Sequence, residues 1–162
     1  MTGLFILVSL FFSSPSNPAA KPAGCSFLTT ANAALILGAN VKAEENKYVE
    51  ADQNQKWGCR FTVDGAMDDK SPKLHFGLWR SKTEGAAMEE FATVKTSNEK
   101  LAGFEMWPGV GDEAFVHTDG SNFQFILVRK GASSIRIKIN PMTGVDMNVV
   151  KDVAKDLASK LK

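Results

Sequence analysis

The chain has 162 residues, of which 44% are hydrophobic and 23% are charged. This composition fits about one ordinary globular domain and excludes a disordered or collagen-like chain. Nineteen Lys and Arg against eighteen Asp and Glu leave a net charge of +1, which is too balanced for a dedicated nucleic-acid-binding protein. The two Cys and two His do not have the spacing of a zinc finger. We therefore expect no nucleic-acid partner, no metal and no cofactor.

The first twenty residues differ from the rest because they carry no charge. Residues 3–12 form a run of ten in which only Ser9 is polar, and ten helical residues span about 15 Å, half of a hydrocarbon core of about 30 Å. The run and the small residues after it are typical of a secretory signal, although no Lys or Arg precedes it. We predict a signal-peptide-like segment over 1–20, a single domain over 21–162, and a secreted or periplasmic protein.

An exported protein can form a disulfide between its two cysteines. In an oxidising compartment the simplest arrangement is one bridge, Cys25–Cys59, and a closed loop of about 35 residues stabilises by roughly 4 kcal/mol in the chain-entropy model. Two alternatives stay open. The sequence Ala-Gly-Cys ending at Cys25 looks like a lipidation site, which would anchor the protein to the cell envelope. A nucleophilic Cys would need a nearby His or helix N-terminus, and neither Cys has a His close in sequence.

Residue patterns predict the elements of the first half. Thr29 or Thr30 caps a short helix that ends at Gly38. A stretch of polar and acidic residues predicts a surface loop. The alternation of apolar and polar residues after it predicts an antiparallel pair of strands, and apolar residues at helical spacing then predict a second helix. In chain order these are a helix ending at residue 37, a loop over 42–56, strands over 57–64 and 74–79, and a helix over 84–97.

The second half repeats the order of helix and then strands. Alternation predicts strands over 113–118, 123–128 and 134–140, and Asp119-Gly120 is a strong turn signal. A last helix places Val149, Val153, Leu157 and Leu161 on one apolar side. We therefore predict an α+β fold: an antiparallel sheet of five or six strands with helices packed mainly on one face, built from two helix-then-strands halves and a C-terminal helix.

Several short motifs follow one another over most of residues 25–161. They are Cys-Ser-Phe-Leu-Thr-Thr at 25–30, Leu-Gly-Ala at 37–39, Trp-Gly-Cys at 57–59, Gly-x-Gly-Asp-x-Ala at 109–114 and Val-Arg-Lys-Gly at 128–131. In this order they resemble a family of exported bacterial, mainly actinobacterial, lipoproteins of unknown function. That family is similar to the extracellular sensor domains of mycobacterial serine/threonine kinases. The chain departs from it in a poor lipid-attachment sequence and in lacking a second Cys pair. The resemblance implies an extracytoplasmic binding or sensing module, without catalytic residues to carry over.

The Gly-x-Gly-Asp motif is predicted to be a structural turn. A phosphate-binding loop would need a Lys-Ser/Thr end and a following helix, whereas a strand is predicted here. We expect Gly109 and Gly111 to adopt positive backbone angles and Asp112 to bond nearby amides. The carboxylate pairs Asp68-Asp69 and Asp112-Glu113 are adjacent in sequence, so strand geometry would point their members apart and acid–base catalysis is not favoured.

The positions of the two histidines and of the charged residues along the chain indicate where a ligand would bind. His75 and His117 could meet across the sheet, but without a nearby carboxylate they make a poor metal site. Residues 43–119 carry 15 acidic and 9 basic side chains, whereas residues 129–162 carry 3 and 8, which favours an acidic partner near the C-terminal half.

Six residues are the candidates for contact with a ligand or partner. Strand parity places Arg136 and Lys138 on a polar sheet face and groups residues of the first hairpin with them, while Trp107 lies in a Pro-Gly loop without an obvious core role. The candidates are Trp107, Arg136, Lys138, Arg60, Trp79 and His75. We predict a non-catalytic extracytoplasmic binding or sensing module for a small anionic or glycan-like ligand or a protein partner. The alternatives are a secreted inhibitor or immunity-type protein and, less favoured, a small hydrolase using Asp112 or Glu113 with His117.

Overall fold

The computed structural model describes residues 24–51, 54–66, 70–142 and 144–161. The signal-like segment predicted over 1–20 and the Asp68-Asp69 pair lie outside the described residues. In chain order the elements are α1 Gly24–Phe27, α2 Thr30–Leu37, β1 Val41–Ala51, β2 Asn54–Val63, β3 Lys73–Ser81, α3 Glu84–Asn98, β4 Phe104–Met106, β5 Glu113–Asp119, β6 Phe123–Lys130, β7 Ser133–Asn140 and α4 Met147–Ser159.

All the described strands form one antiparallel sheet of seven, in the order β1-β2-β3-β7-β6-β5-β4. Two meanders, β1 to β3 and β4 to β7, are joined where β3 pairs with β7. The α+β class and the antiparallel sheet are confirmed, but the predicted count of five or six strands is wrong. The loop predicted over 42–56 is instead β1 and the start of β2, because an edge strand can be charged along its length and still pair on one side.

Helices cover both faces of the sheet. The elements α1, α2 and α4 pack on one face, which we call the inner face, over a core that includes Phe61, Phe76 and Ile137. On the opposite, outer face, Phe91 of α3 packs in a smaller cluster with Phe115 and Leu127 of the sheet. The expectation that helices pack mainly on one face therefore holds for three of the four helices in the described residues. None of these helices is long and apolar enough to cross a membrane.

The ends of α2 follow the sequence signals. The Thr29 side chain accepts a hydrogen bond from the backbone N–H of Asn32, and the Asn32 side chain accepts one from the backbone N–H of Thr29, which is a capping box. Gly38 ends the helix with a φ of 66°, a conformation that a residue without Cβ adopts at little cost. The predicted helix, its cap and its terminator are confirmed.

A disulfide joins α1 to the middle of β2. Cys25 and Cys59 are bonded, with their Cα atoms 5.0 Å apart, so the predicted bridge is confirmed. The lipidation alternative at Cys25 is incompatible with this bridge, since both reactions use the same sulfur. Close packing surrounds it: the Phe27 and Phe76 rings stack with centroids 5.9 Å apart. A Cβ on Gly24 would lie 2.5 Å from the carbonyl oxygen of Gly58, so α1 sits directly on the backbone of β2.

Replacing both cysteines, Cys25→Ala/Cys59→Ala, should lower the free energy of unfolding by up to about 4 kcal/mol, because the bridge restricts the unfolded chain across a separation of 34 residues. Urea unfolding with and without a reductant measures the effect. The reductant should shift the midpoint of the natural chain and leave that of the variant unchanged. Equal midpoints for all samples would contradict the stabilising role of the bridge.

Candidate functional site

Strand registers bring five of the predicted site residues to the outer face. Arg60, His75 and Lys138 are direct neighbours across β2, β3 and β7. Trp79 and Arg136 lie further along the same face, as strand parity predicts. Two lysines that the sequence patterns do not single out also lie on this face: Lys56 opposite Trp79, and Lys73 two residues before His75. We call this set the cationic face: Lys56, Arg60, Lys73, His75, Trp79, Arg136 and Lys138.

The cationic face has few negative charges of its own. Along the described lengths of β2, β3 and β7, no acidic residue occupies the outer face. Carboxylates arrive from neighbouring elements: Glu44 of β1 pairs with Arg60, and Glu90 of α3 accepts a hydrogen bond from Arg136 at 2.9 Å. No described carboxylate forms an ion pair with Lys138. The face therefore keeps an excess of positive charge.

The Trp79 ring holds two of these cations in place. A Cβ on Gly77 would lie 3.2 Å from the indole nitrogen of Trp79, so the ring lies over the glycine and close to the sheet. The guanidinium carbon of Arg136 is 3.2 Å from the centre of the ring, and the ammonium of Lys56 is 4.0 Å from it. These are cation–π contacts. A ligand would therefore meet the cations that the ring positions rather than a bare aromatic surface.

His75 lies among the cations and is partly buried. Burial lowers the pKa of its imidazole below the ordinary value, and the positive charges of Arg60, Lys138 and Lys73 lower it further. The ring is consequently neutral at pH 7, with one nitrogen that donates and one that accepts hydrogen bonds.

Trp107, the sixth predicted site residue, is not on this face. It is only 4% exposed and belongs to the core of the inner face, where its backbone N–H donates to Ala114 at 2.9 Å. The expectation that Trp107 is exposed and has no core role is therefore wrong. Pro108 and Gly109 suggested a loop tip, but the loop folds back and places both Trp107 and Val110 in the core.

The Gly-x-Gly-Asp motif forms the predicted turn. Gly109 and Gly111 have φ values of 77° and 64°, and the Asp112 carboxylate accepts a hydrogen bond from the backbone N–H of Gly131 at 2.8 Å. A Cβ on Gly111 would lie 2.5 Å from the carbonyl oxygen of Arg129. The turn therefore packs against the end of β6 more closely than any other residue would allow.

Arg129 anchors this turn and was not anticipated. Its side chain is 5% exposed and donates to Glu113 at 2.8 Å, Asp112 at 3.2 Å and Glu84 at 3.4 Å. Burial alone would lower the pKa of Arg129, but the hydrogen bond to Glu113 and the charges of the three carboxylates outweigh it and raise the pKa. The two motifs at 109–114 and 128–131, which meet at Arg129, are the feature of the sequence that indicates this contact.

The residues of the hydrolase alternative are held apart. Asp112 and Glu113 bind Arg129, whereas His117 is buried four residues further along β5, a separation of about 13 Å, and its Nδ1 contacts Asn98 Oδ1 at 3.1 Å. Three strand spacings, about 14 Å, separate His117 from His75. Within the described residues, no three His, Cys, Asp or Glu side chains converge on a point that could hold a metal ion.

No model of a known protein family matches the chain, and no curated protein matches its sequence. The resemblance to exported lipoproteins and kinase sensor domains therefore stays a prediction.

The lowered pKa of His75 makes a prediction about acid stability. The unfolded chain, with a histidine pKa of about 6.5, takes up a proton at higher pH than the folded chain does. The stability that the neutral His75 contributes is therefore complete above the unfolded pKa and is lost as the pH falls through the folded pKa. Urea unfolding between pH 7.5 and pH 5, values chosen around 6.5, should show a smaller loss of stability for His75→Gln than for the natural chain. Identical losses would mean that burial and the neighbouring cations do not lower the pKa of His75.

Arg129→Met should lower the free energy of unfolding by about 2–3 kcal/mol, between the values for exposed and fully buried ion pairs, because three carboxylates lose their common partner. Arg80→Met, at an exposed arginine of β3, is the matched control and should change stability little. Both are measured by urea unfolding at pH 7. A loss for Arg129→Met no larger than that for Arg80→Met would show that the cluster is not stabilising.

Proposed function

We propose that this protein is a non-catalytic, extracytoplasmic binding module that captures an acidic oligosaccharide on its cationic face. The observation that carries the proposal is the set of five Lys and Arg side chains on the outer face of three adjacent strands. The described lengths of these strands place no acidic residue there, although Glu44 of β1 and Glu90 of α3 each pair with one of the arginines. A surface of this kind attracts anions and raises their rate of association.

The spacing of the cations favours an extended ligand with several acidic groups. Arg60 and Lys138 lie two strand spacings apart, about 10 Å, and Lys56 lies four residues from Arg60, about 13 Å along the same strand. A single phosphate or carboxylate could contact one end of this surface only. An oligosaccharide that carries sulfate or carboxylate groups on successive rings could reach all of it.

The cations are also held in place before a ligand arrives. The Trp79 ring supports Lys56 and Arg136, and Glu90 orients the Arg136 guanidinium further. Fixing long side chains in advance reduces the entropy lost on binding. The Cys25–Cys59 bridge supports a location in an oxidising compartment, where such bonds form and persist.

The test is a calorimetric titration with a sulfated hexasaccharide, with an uncharged hexasaccharide as the ligand control. The natural chain should bind the sulfated probe alone, and the affinity should fall as salt is added, since exposed charges are screened. Arg60→Gln/Lys138→Gln should lower the affinity by about tenfold, equivalent to about 0.7 kcal/mol for each charge.

Lys155→Gln/Lys160→Gln is the matched control, because it removes the same charge from the exposed side of α4 on the inner face. This variant should retain the affinity of the natural chain. Equal losses in the two double variants would mean that binding depends on net charge alone and not on the cationic face, which would contradict the proposal. Failure of the natural chain to bind the sulfated probe would also contradict it.

A further inference from the structure

A second candidate site lies on the inner face, between α4 and the edge strand β4. It is a cleft of about 240 Å³ whose floor is formed by β5 and β6. The residues that matter for its chemistry are Glu105 of β4, Trp107, Thr118, Gln124, and Met147 and Lys151 of α4. No residue of the cationic face lines it.

A buried amide at the floor of the cleft has an unused acceptor. Gln124 is 1% exposed, and its Nε2 donates to Thr118 Oγ1 at 3.1 Å and contacts Met147 Sδ. In this orientation of the amide, Nε2 is the atom that faces Thr118 and Met147. Gln124 Oε1 is then left buried without a hydrogen-bond partner among the described residues. Burying such an oxygen is costly unless a donor reaches it.

Two opposite charges flank the same cleft without meeting. Glu105 lines it from β4 and Lys151 from α4, and neither forms an ion pair with any described residue. The Lys151 ammonium lies 5.3 Å from the centre of the Trp107 ring instead. The cleft thus carries a carboxylate for a positively charged donor and an ammonium for a negatively charged acceptor, and Gln124, whose buried oxygen has no described partner, also lines it.

We propose that this cleft binds a free α-amino acid. The ammonium group of the ligand donates hydrogen bonds to Glu105 and to Gln124 Oε1, and its carboxylate pairs with Lys151. A ligand with one charge would leave either Glu105 or Lys151 unmatched. The volume falls below the range of about 300–1,000 Å³ that holds drug-sized ligands, which favours a single amino acid over a peptide.

The unused oxygen also distinguishes among zwitterions. A quaternary ammonium has no N–H to donate, so betaine would carry the right charges and still leave Gln124 Oε1 without a partner. The site should therefore discriminate between a primary ammonium and a quaternary one.

The experiment titrates the full chain with L-alanine, L-leucine and L-glutamine by calorimetry, with betaine, acetate and ethylammonium as controls. At least one amino acid should bind, and the three controls should bind at least about tenfold more weakly or not at all, the loss expected when one charge-assisted hydrogen bond is missing. Absence of binding by all three amino acids at millimolar concentration, or equal binding of betaine, would overturn the proposal.

Three variants locate the binding. Glu105→Gln, Lys151→Gln and Gln124→Met should each weaken amino-acid binding by at least about tenfold. Glu89→Gln and Lys82→Gln, at exposed residues away from the cleft, are the matched controls and should bind as the natural chain does. Urea midpoints show that each variant is folded, and the three single variants report independently if one of them is not. Unchanged affinity in all three cleft variants would place the binding elsewhere and overturn the proposal.

Discussion

The pairing of β3 with β7 is the contact on which the rest of the structure depends. It joins residues 73–80 to residues 133–140 and thereby unites the two meanders in one sheet. Ile135, Ile137 and Ile139 are fully buried on the inner face, at about 1.5–3 kcal/mol each. A shift of register by one residue would expose all three and turn Arg136 and Lys138 into the core. The same burial that stabilises the sheet therefore assembles the cationic face from both halves of the chain.

Features set by local chemistry could be predicted from the sequence. Alternation located β2, β3 and β5 to β7, because a strand with one face in the core repeats every two residues. The Thr29 cap, the Gly38 terminator and the Gly-x-Gly-Asp turn each follow from a residue type that suits one backbone conformation. The Cys25–Cys59 bridge followed from counting cysteines. Parity alone grouped five of the seven residues of the cationic face, but it missed Lys56 and Lys73 and gave no information about which cations Trp79 would contact.

Features set by contacts between distant segments could not be predicted. The edge strand β1 is exposed over 42–45 and so lacks the alternation of a half-buried strand. Trp107 enters the core only because its loop folds back, and no local pattern marks such a fold. Arg129 meets carboxylates that are 16, 17 and 45 residues away, and its environment depends on where α3 begins. The cleft likewise needs β4, β6 and α4 to be in place before Glu105, Gln124 and Lys151 share one opening.

The placement of the three tryptophans has a practical consequence for spectroscopy. Trp79 lies under two cations on the outer face, Trp107 borders the cleft on the opposite side of the sheet, and Trp57 is buried in the core. Indole emission responds to nearby charge, so each of the two surfaces carries its own intrinsic fluorophore. Chains in which two of the three indoles are replaced by phenylalanine would report on one surface at a time, without an attached dye.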